Sequence, residues 1–258
     1  MNSLNPITYQ PLRHASPFYT ASASYPTLYR YLPYGPFNTL EDFLAWHRVR
    51  IEEDTGTLLF AVIDKSAVCP PVNALNPSSA ESYQHPDSSD GNHNADAHPI
   101  AGLIAYLNTN SQHATTEIGH IIVLPRFQGT HVVRHAIGLL LKYALSLPKD
   151  RDSGGVSEHN SISGLGLRRV QYQANALNTR SVRVAERMGF LREGLIRWQR
   201  VLPPEKEGKT GRDGEHAWCG SEGGGWGPAR DTMMLAICWD DWESGVKERV
   251  DQVMSGPP

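Results

Sequence analysis

The chain has 258 residues, of which 40% are hydrophobic and 20% are charged, and its formal net charge is −3. These proportions are typical of a globular protein with a sizeable core, and the slight negative charge argues against nucleic-acid binding. No run approaches the roughly 18 apolar residues of a membrane helix, and the N-terminus lacks the pattern of a secretory signal, so we expect no membrane association.

The three cysteines point to a reducing compartment. Cys69, Cys219 and Cys238 are far apart in the sequence and lack the close pairing that is typical of a zinc site. An odd and sparse set of cysteines also argues against a disulfide framework. We therefore expect a cytoplasmic protein without a metal centre.

Short apolar runs and helical periodicities alternate through the first half of the chain. We predict a helix over 42–53, and strands over 58–63 and 100–107 that form a hairpin if the residues between them are one long turn. A strand over 116–124 leads to a helix over 130–147, whose apolar residues recur at helical spacing.

The second half continues the alternation with a strand over 167–174. Asn178 is a favourable N-cap for a helix that runs to Met188, and Gly189 is placed to end that helix. The remaining predicted elements are two closing strands over 190–201 and 232–239 and a helix over 242–253. This alternation predicts a mixed α/β class with a mostly antiparallel sheet.

Three polar or glycine-rich stretches interrupt these elements, at 65–99, 148–164 and 203–229. Such compositions bury too little apolar surface to offset the entropy of ordering, so we predict loops or disordered insertions there. We place a single domain over residues 6–242 with these three insertions, followed by a C-terminal helix and tail over 243–258.

A strand, a glycine-containing turn and a helix follow one another after Glu117. The strand breaks at Pro125, and a turn that contains Gly129 leads into the helix. The first backbone N–H groups of a helix have no intrahelical partner and lie at the positive end of the helix dipole, so they favour an anion. The sequence therefore predicts an anion-binding loop before this helix.

A second motif, with Asn178, Ser181, Gly189 and Phe190, follows in the second half of the chain. Together the two motifs resemble the cofactor-binding motifs of the GNAT N-acetyltransferase superfamily, and most closely its ribosomal-protein-acetyltransferase-like branch. The segment 31–37 resembles fungal and bacterial members of the same branch, and the long polar insertions favour a fungal origin. The resemblance implies an acyl-CoA N-acyltransferase fold, with helices on both faces of a sheet that splays at the cofactor strand.

The resemblance also implies acetyl-CoA as co-substrate. The backbone N–H of Ile122 or Val123 would polarise the thioester carbonyl. Asn178 and Ser181 match family positions at the cofactor, although Asn178 as a helix cap alone is the structural alternative. The pyrophosphate would bind the loop and helix start, at Arg126, Gln128, Gly129, Thr130, His131 and Val132. His131 stands where the family has a small residue, so its side chain either points away from the phosphates or adds a donor.

Catalytic residues are less well defined by the motifs. Glu117 is a candidate general base, with a water-facing carboxylate at a strand end as the alternative. His120 and Glu193 are weaker candidates, and strand alternation places Glu117 and His120 on opposite faces. Ala185 stands where many family members have a tyrosine that protonates the thiolate, which leaves Ser181 or water as the acid.

These expectations combine into one reading of the function. The chain is predicted to transfer an acetyl group from acetyl-CoA to a primary amine of a small molecule or a protein, by direct attack in a ternary complex. We expect a monomer or homodimer, with 31–37 and the loop that holds Trp218 and Trp226 beside the acceptor. The alternative is a catalytically weak or inactive CoA-binding protein that acts through a protein partner.

Overall fold

A computed structural model describes residues 4–66, 98–148, 163–210 and 227–256. It contains a seven-stranded sheet with the order β1-β2-β3-β4-β5-β7-β6. The neighbouring strands are antiparallel except for β4 and β5, which run parallel. The strands are β1 (Leu4–Thr8), β2 (Leu58–Asp64), β3 (Ile100–Asn110), β4 (Thr115–Val123), β5 (Arg169–Asn175), β6 (Leu191–Val201) and β7 (Ala229–Cys238).

Helices cover both faces of this sheet. Residues 101–106 of β3 are all buried, although successive side chains of a strand point to opposite faces. The α-helices are α1 (Pro11–Ala23), α2 (Leu40–His47), α3 (Val132–Leu145), α4 (Thr179–Arg187), the short α5 (Trp239–Asp241) and α6 (Lys247–Ser255). None of the helices in the described ranges is long and apolar enough to cross a membrane.

Local sequence accounts for where the helices that flank the site begin and pack. Thr39 and Asp42 form a reciprocal capping box at the start of α2, with both hydrogen bonds at 3.1 Å. In α3 the buried positions recur at helical spacing, and Gly138 lets α6 approach so closely that an added Cβ would lie 2.4 Å from the sulfur of Met254. The α3 helix is therefore fixed between the sheet and α6.

The predicted fold is confirmed, including the hairpin of β2 with β3 and the mostly antiparallel sheet. Two element predictions need correction. The helix predicted over 242–253 is kinked at Gly245, whose φ of 122° is non-helical and lies within the turn Trp242–Val246 that precedes α6. Strand β7 begins earlier than predicted, at Ala229.

Part of the third predicted insertion belongs to the folded structure. Lys206 is buried, and its Nζ donates a hydrogen bond of 2.7 Å to the carbonyl of Tyr29. This contact ties the start of the β6–β7 connection to the segment that precedes α2. The remaining parts of the three insertions, at 67–97, 149–162 and 211–226, lie outside the described residues, as do Trp218 and Trp226.

Candidate active site

Strands β4 and β5 separate part of the way along the sheet. They pair in parallel from Thr115 opposite Arg169 to Ile118 opposite Tyr172, and no pairing follows. Because β4 continues to Val123 and β5 to Asn175, both strands leave main-chain groups facing the gap. We call this gap the notch; it confirms the predicted splay of the sheet.

A β-bulge distorts β4 beside the notch. Ala105 of β3 lies opposite Gly119, whereas Leu103 lies opposite Ile122, so β4 holds one extra residue between these pairs. His120 has a φ of 47°, which is unusual for a residue other than glycine. The alternation of side chains between the two faces of the sheet therefore breaks at His120. The prediction that Glu117 and His120 point to opposite faces assumed an unbroken alternation, so the structure removes its basis. The positive charge of Arg200 acts on the pKa of both residues.

The edge of β4 presents Val123 to the notch side. The N–H of Leu124 donates to Ala101 of β3, and peptide groups alternate in direction along a strand. Consistent with this alternation, the Val123 carbonyl accepts a 3.0 Å hydrogen bond from Gln128 Nε2, whereas the Ile122 carbonyl packs against Gly102 of β3. Of the two predicted backbone donors, Val123 thus faces the open edge and Ile122 faces β3.

The loop before α3 has the geometry of an anion-binding turn. Gly129 has a φ of 74°, and no atom lies within 4 Å of a Cβ added there. Thr130 Oγ1 donates to the Phe127 carbonyl at 2.7 Å and accepts from the N–H of Val132 at 3.3 Å. These two bonds hold the loop in shape, and the open space at Gly129 leaves the start of α3 accessible.

Two predicted loop residues point elsewhere. His131 Nε2 lies 3.7 Å from Asp64 Oδ1 at the end of β2, so the imidazole is turned toward the sheet. Arg126 is exposed and lies over the ring of Phe127 on a cleft of about 650 Å³ between α1 and the Pro125–Phe127 turn. The lining of that cleft includes none of the candidate catalytic residues.

The start of α4 brings two hydroxyl groups together in the notch. Ser181 Oγ lies 2.8 Å from the hydroxyl of Tyr172 on β5, and both residues line the notch. Burial raises the pKa of Tyr172 to about 12, so its hydroxyl keeps its proton at neutral pH. Ala185 is fully buried one turn further along α4. A phenol is therefore present in the notch, but it comes from β5 instead of α4.

Asn178 caps α4, as predicted. Its Oδ1 accepts a hydrogen bond of 3.1 Å from the N–H of Ser181, and its side chain also lines the notch. Replacing Asn178 by alanine should therefore lower the free energy of unfolding by about 1 kcal/mol, because the first turn of α4 loses its cap. Urea denaturation of both proteins measures this difference. Asn178→Ser keeps a capping oxygen and should restore most of it; equal stability of the alanine variant would contradict the capping role.

A second cavity lies on the other side of His120, and we call it the acceptor cavity. It has a volume of about 410 Å³ and is lined by Pro33, Tyr34, Trp46, Arg50, Asp54, Thr57, Leu107, Asn108, His120, Arg200 and Val201. The notch holds about 60 Å³ and is lined by Tyr31, Leu32, Ile118, Gly119, His120, Ile121, Tyr172, Gln173, Ala174, Asn175, Asn178, Ser181 and Arg230. His120 is shared between these two linings.

The imidazole of His120 is held by the aromatic residues before and within α2. Its Nδ1 lies 2.7 Å from the hydroxyl of Tyr34, and its ring packs edge-on against Tyr34 and Trp46. Burial, and then the charges of Arg200 and Arg50, lower the pKa of His120 to about 4. The ring is therefore neutral at physiological pH.

The two carboxylates predicted as possible bases line neither cavity, although Glu117 is hydrogen-bonded to Asn108 of the acceptor cavity and to Gln173 of the notch. Glu117 is 5% exposed, and its Oε2 accepts hydrogen bonds of 2.8 Å from Asn108 Nδ2 and from Gln173 Nε2. Burial raises the pKa of Glu117, but this side chain lines neither the notch nor the acceptor cavity. Glu193 forms an ion pair with Arg169 at the opposite end of β5, which lowers its pKa.

Sequence reasoning did not find several residues of the site. Tyr172 reads as an ordinary core residue in a buried strand, and Arg200 as a solvated charge near a strand end. Asn175 ends β5 in the notch with its Nδ2 buried and without a hydrogen bond to any described residue. Because these contacts join residues that are distant in sequence, no local sequence pattern predicts them. Tyr34, in contrast, lies in the segment 31–37 that was predicted beside the acceptor.

Comparisons with known proteins agree with this architecture. A family model described as an acetyltransferase (GNAT) domain matches residues 6–191, which is well over half of the chain. A search of curated proteins found no significant match. A GCN5-related N-acetyltransferase from Brucella melitensis superposes with a TM-score of 0.64 at 19% identity, over 99% of this chain and 84% of that chain.

Two further solved structures share the fold. A probable acetyltransferase of the GNAT family from Chromobacterium violaceum has a TM-score of 0.63 at 20% identity, over 94% of this chain and 86% of that chain. A spermidine N-acetyltransferase from Vibrio cholerae, solved with CoA and spermine, has a TM-score of 0.57 at 14% identity, over 94% of this chain and 99% of that chain. At such identities these likenesses establish the fold.

The sheet that opens between β4 and β5, with a glycine loop at the start of α3, defines an acyl-CoA N-acyltransferase fold. The chain belongs to the GNAT acetyltransferase family. It is accordingly an acyltransferase by family, and the predicted membership in this superfamily is confirmed.

Proposed function

We propose that the protein transfers an acetyl group from acetyl-CoA to a primary amine by direct attack in a ternary complex. The observation that carries this proposal is the separation of β4 from β5, which ends at the preformed loop around Gly129. The open edge of β4 can then pair with the amides of an extended co-substrate, and the start of α3 can bind a pyrophosphate at its end.

The residues present fit acetyl-CoA as the co-substrate. The loop from Gln128 to Val132 would hold the pyrophosphate, and Val123 offers main-chain groups to the pantetheine arm. The unpaired Nδ2 of Asn175 and the side chain of Asn178 lie in the notch as further donors. Acetyl-CoA, when bound, supplies the acetyl group as a thioester.

His120 is proposed as the group that takes the proton from the attacking amine. It lies between the notch and the acceptor cavity, whereas Glu117 lines neither. For Nε2 to accept a proton, Nδ1 must carry the hydrogen of the neutral ring and donate it to the Tyr34 oxygen. When the Tyr34 hydroxyl accepts this hydrogen bond, the contact favours the tautomer whose Nε2 is free to take a proton.

Ser181 and Tyr172 are proposed to serve the leaving sulfur. As the bond from nitrogen to the acetyl carbon forms, the bond from that carbon to sulfur breaks, and the sulfur gains a proton. The hydroxyl of Ser181 would donate this proton and regain one from solvent. Tyr172, whose hydroxyl lies 2.8 Å away and keeps its own proton, would hold Ser181 in position. Ser181 thereby takes the role that Ala185 leaves open.

The finer placement of the protein follows from sequence alone. The motifs around Asn178 and Gly189 support membership of the ribosomal-protein-acetyltransferase-like branch, and the insertions support a fungal origin. The acceptor is proposed to be an amine of a small molecule or of a protein N-terminus. The V. cholerae enzyme, which was solved with CoA and spermine, supports an amine acceptor in general.

Calorimetric titration with acetyl-CoA tests the co-substrate, with CoA and ATP as comparisons. We expect micromolar affinity for both CoA species and none for ATP at the same concentrations. Thiol release in the presence of amines then tests transfer. Absence of acetyl-CoA binding would overturn the proposal, and binding without transfer to any amine would favour the catalytically weak alternative.

A further inference from the structure

Three arginines line the cavities on either side of His120 without a close ion pair; Arg50 and Arg200 are exposed, and Arg230 is buried. Arg50 and Arg200 line the acceptor cavity, and Arg230 lines the notch. Arg230 is 7% exposed, and its Nε is buried without a hydrogen bond. Among the described residues, none of these three arginines has a carboxylate within 4 Å. Other arginines do form such ion pairs, for example Arg30 with Glu207 and Arg192 with Glu186. A buried guanidinium is costly without a counter-charge. The charge of Glu117 raises the pKa of Arg230 but offsets this cost only in part, since burial and Arg200 still lower that pKa to about 10.

The nearby carboxylates are occupied by other contacts. Asp54 accepts hydrogen bonds from the N–H of Gly56 and the hydroxyl of Thr57, which hold it in its own turn. Glu117 is held by two side-chain amides. Because Asp54 is the one carboxylate in the two linings and His120 is neutral, the charged groups around the reaction centre are predominantly positive.

Two of the arginines lie directly opposite each other. Arg200 of β6 pairs in register with Arg230 of β7, and like charges at opposed positions destabilise a sheet. Burial lowers the pKa of Arg230 to about 10, and the charge of Arg200 is the second cause of this decrease. An anion placed between these side chains and Arg50 would offset this repulsion, which indicates a ligand of negative charge.

We propose that the acceptor amine also carries a carboxylate, which binds Arg200 and Arg50 while the amine lies at His120. This inference rests on the proposed acetyl transfer and specifies its substrate class. The planar guanidinium group matches a carboxylate through two parallel hydrogen bonds. A polyamine, in contrast, would bring additional ammonium groups against three arginines. The aromatic wall of Tyr34 and Trp46 offers an apolar surface to the body of the substrate.

A bound carboxylate would also change the basicity of His120. The groups that act on this imidazole are Arg200 and Arg50, which lower its pKa, and Asp54, which raises it, with the Tyr34 hydroxyl at Nδ1. A negative charge on the two arginines cancels part of their repulsion of the imidazolium ion. The correct acceptor thereby makes His120 a better base, whereas an amine without a carboxylate does not.

Matched acceptors test the proposal. Phenylalanine and phenethylamine share an aromatic body and a primary amine, but only the former carries a carboxylate; spermidine serves as the polycationic comparison. We expect kcat/KM from thiol release to be at least about 10-fold higher for phenylalanine than for phenethylamine. Two peptides that begin with aspartate and asparagine show whether the carboxylate comes from a free amino acid or from a side chain beside a peptide N-terminus.

Variants on β6 connect the preference to Arg200. Arg200→Gln should remove most of the preference: kcat/KM for phenylalanine should fall at least about 10-fold, whereas that for phenethylamine should not fall, because loss of the Arg200 charge makes His120 more basic. Arg197→Gln is the matched control, because Arg197 lies on the same strand and lines neither cavity. Equal or better use of amines without a carboxylate would overturn the substrate class and leave acetyl transfer intact.

A binding experiment distinguishes failure of this proposal from failure of the proposed function. Calorimetry on CoA-saturated protein compares N-acetylphenylalanine with N-acetylphenethylamine, and it requires no turnover. Tighter binding of the former, lost in Arg200→Gln, supports the anionic site even if transfer is not detected. Equal affinity for the two compounds overturns the anionic site, and failure of acetyl-CoA itself to bind overturns the proposed function instead.

Discussion

Replacing His120 by glutamine is expected to lower kcat at least about 100-fold, because a positioned general base contributes this much or more. Glutamine preserves polarity and approximate size in the contact with Tyr34, but it cannot take a proton. The measurement is steady-state thiol release at saturating acetyl-CoA, together with the affinity for acetyl-CoA. That affinity should be unchanged, since His120 lies beyond the loop around Gly129 that would hold the phosphates.

Glu117→Gln is the matched comparison, because both side chains were predicted as bases and the exchange preserves shape. We expect a change in kcat of less than about 10-fold, since Glu117 lines neither cavity and its Oε2 accepts hydrogen bonds from two side-chain amides. A loss in Glu117→Gln that matches or exceeds the loss in His120→Gln would return the role of base to the carboxylate. Tyr34→Phe keeps the ring and removes the contact at Nδ1, so it separates orientation from proton transfer.

The pH dependence of the same reaction identifies the base independently. Because kcat/KM reports the ionisation of the free enzyme, its acidic limb should follow the His120 pKa of about 4. Arg200→Gln should move this limb to higher pH, since removing a positive charge favours the imidazolium ion. Arg200 also lowers the pKa of Glu117, so this variant would move a limb set by the carboxylate in the same direction. Persistence of the limb in Glu117→Gln therefore assigns it to His120.

The strand, loop and helix that position the co-substrate could be predicted from sequence because they are local. The apolar stripe of α3, the glycine turn before it and the Asn178 cap each depend on residues within a few positions of one another. Family resemblance then supplied the splay of β4 from β5, which no periodicity encodes. Both the alternation of elements and the hairpin of β2 with β3 follow from patterns of period two and 3.6.

The reaction centre could not be predicted in the same way, because it depends on a broken pattern and on distant contacts. A period of two places Glu117 and His120 on opposite faces, and a single extra residue in β4 cancels that argument. Arg50, Arg200 and Arg230 converge from the π-helical turn Arg48–Glu52 after α2 and from two strands, and each reads alone as a surface charge. The hydroxyl pair of Tyr172 and Ser181 joins β5 to α4 across the notch.

Replacing Gly129 by valine is expected to weaken the binding of acetyl-CoA at least 10-fold, a loss of about 1.4 kcal/mol or more. Gly129 has a φ of 74°, which a β-branched residue adopts only at a cost of roughly 1–3 kcal/mol. No protein atom lies within 4 Å of the added Cβ, so the side chain would project into the open space where an anion approaches the start of α3. Calorimetry with acetyl-CoA and with CoA measures the affinity directly.

Two further glycine variants separate strain from obstruction. Gly194→Val also places a side chain in open space, but on β6 away from the loop, and should leave affinity unchanged. Gly129→Asn introduces a residue that tolerates positive φ, so it relieves the strain while still placing a side chain at the mouth of the loop. If Gly129→Asn binds as weakly as Gly129→Val, obstruction of the anion explains the loss. If it binds like the unmodified protein, backbone strain explains it. Unchanged affinity in both variants would remove the pyrophosphate from this loop.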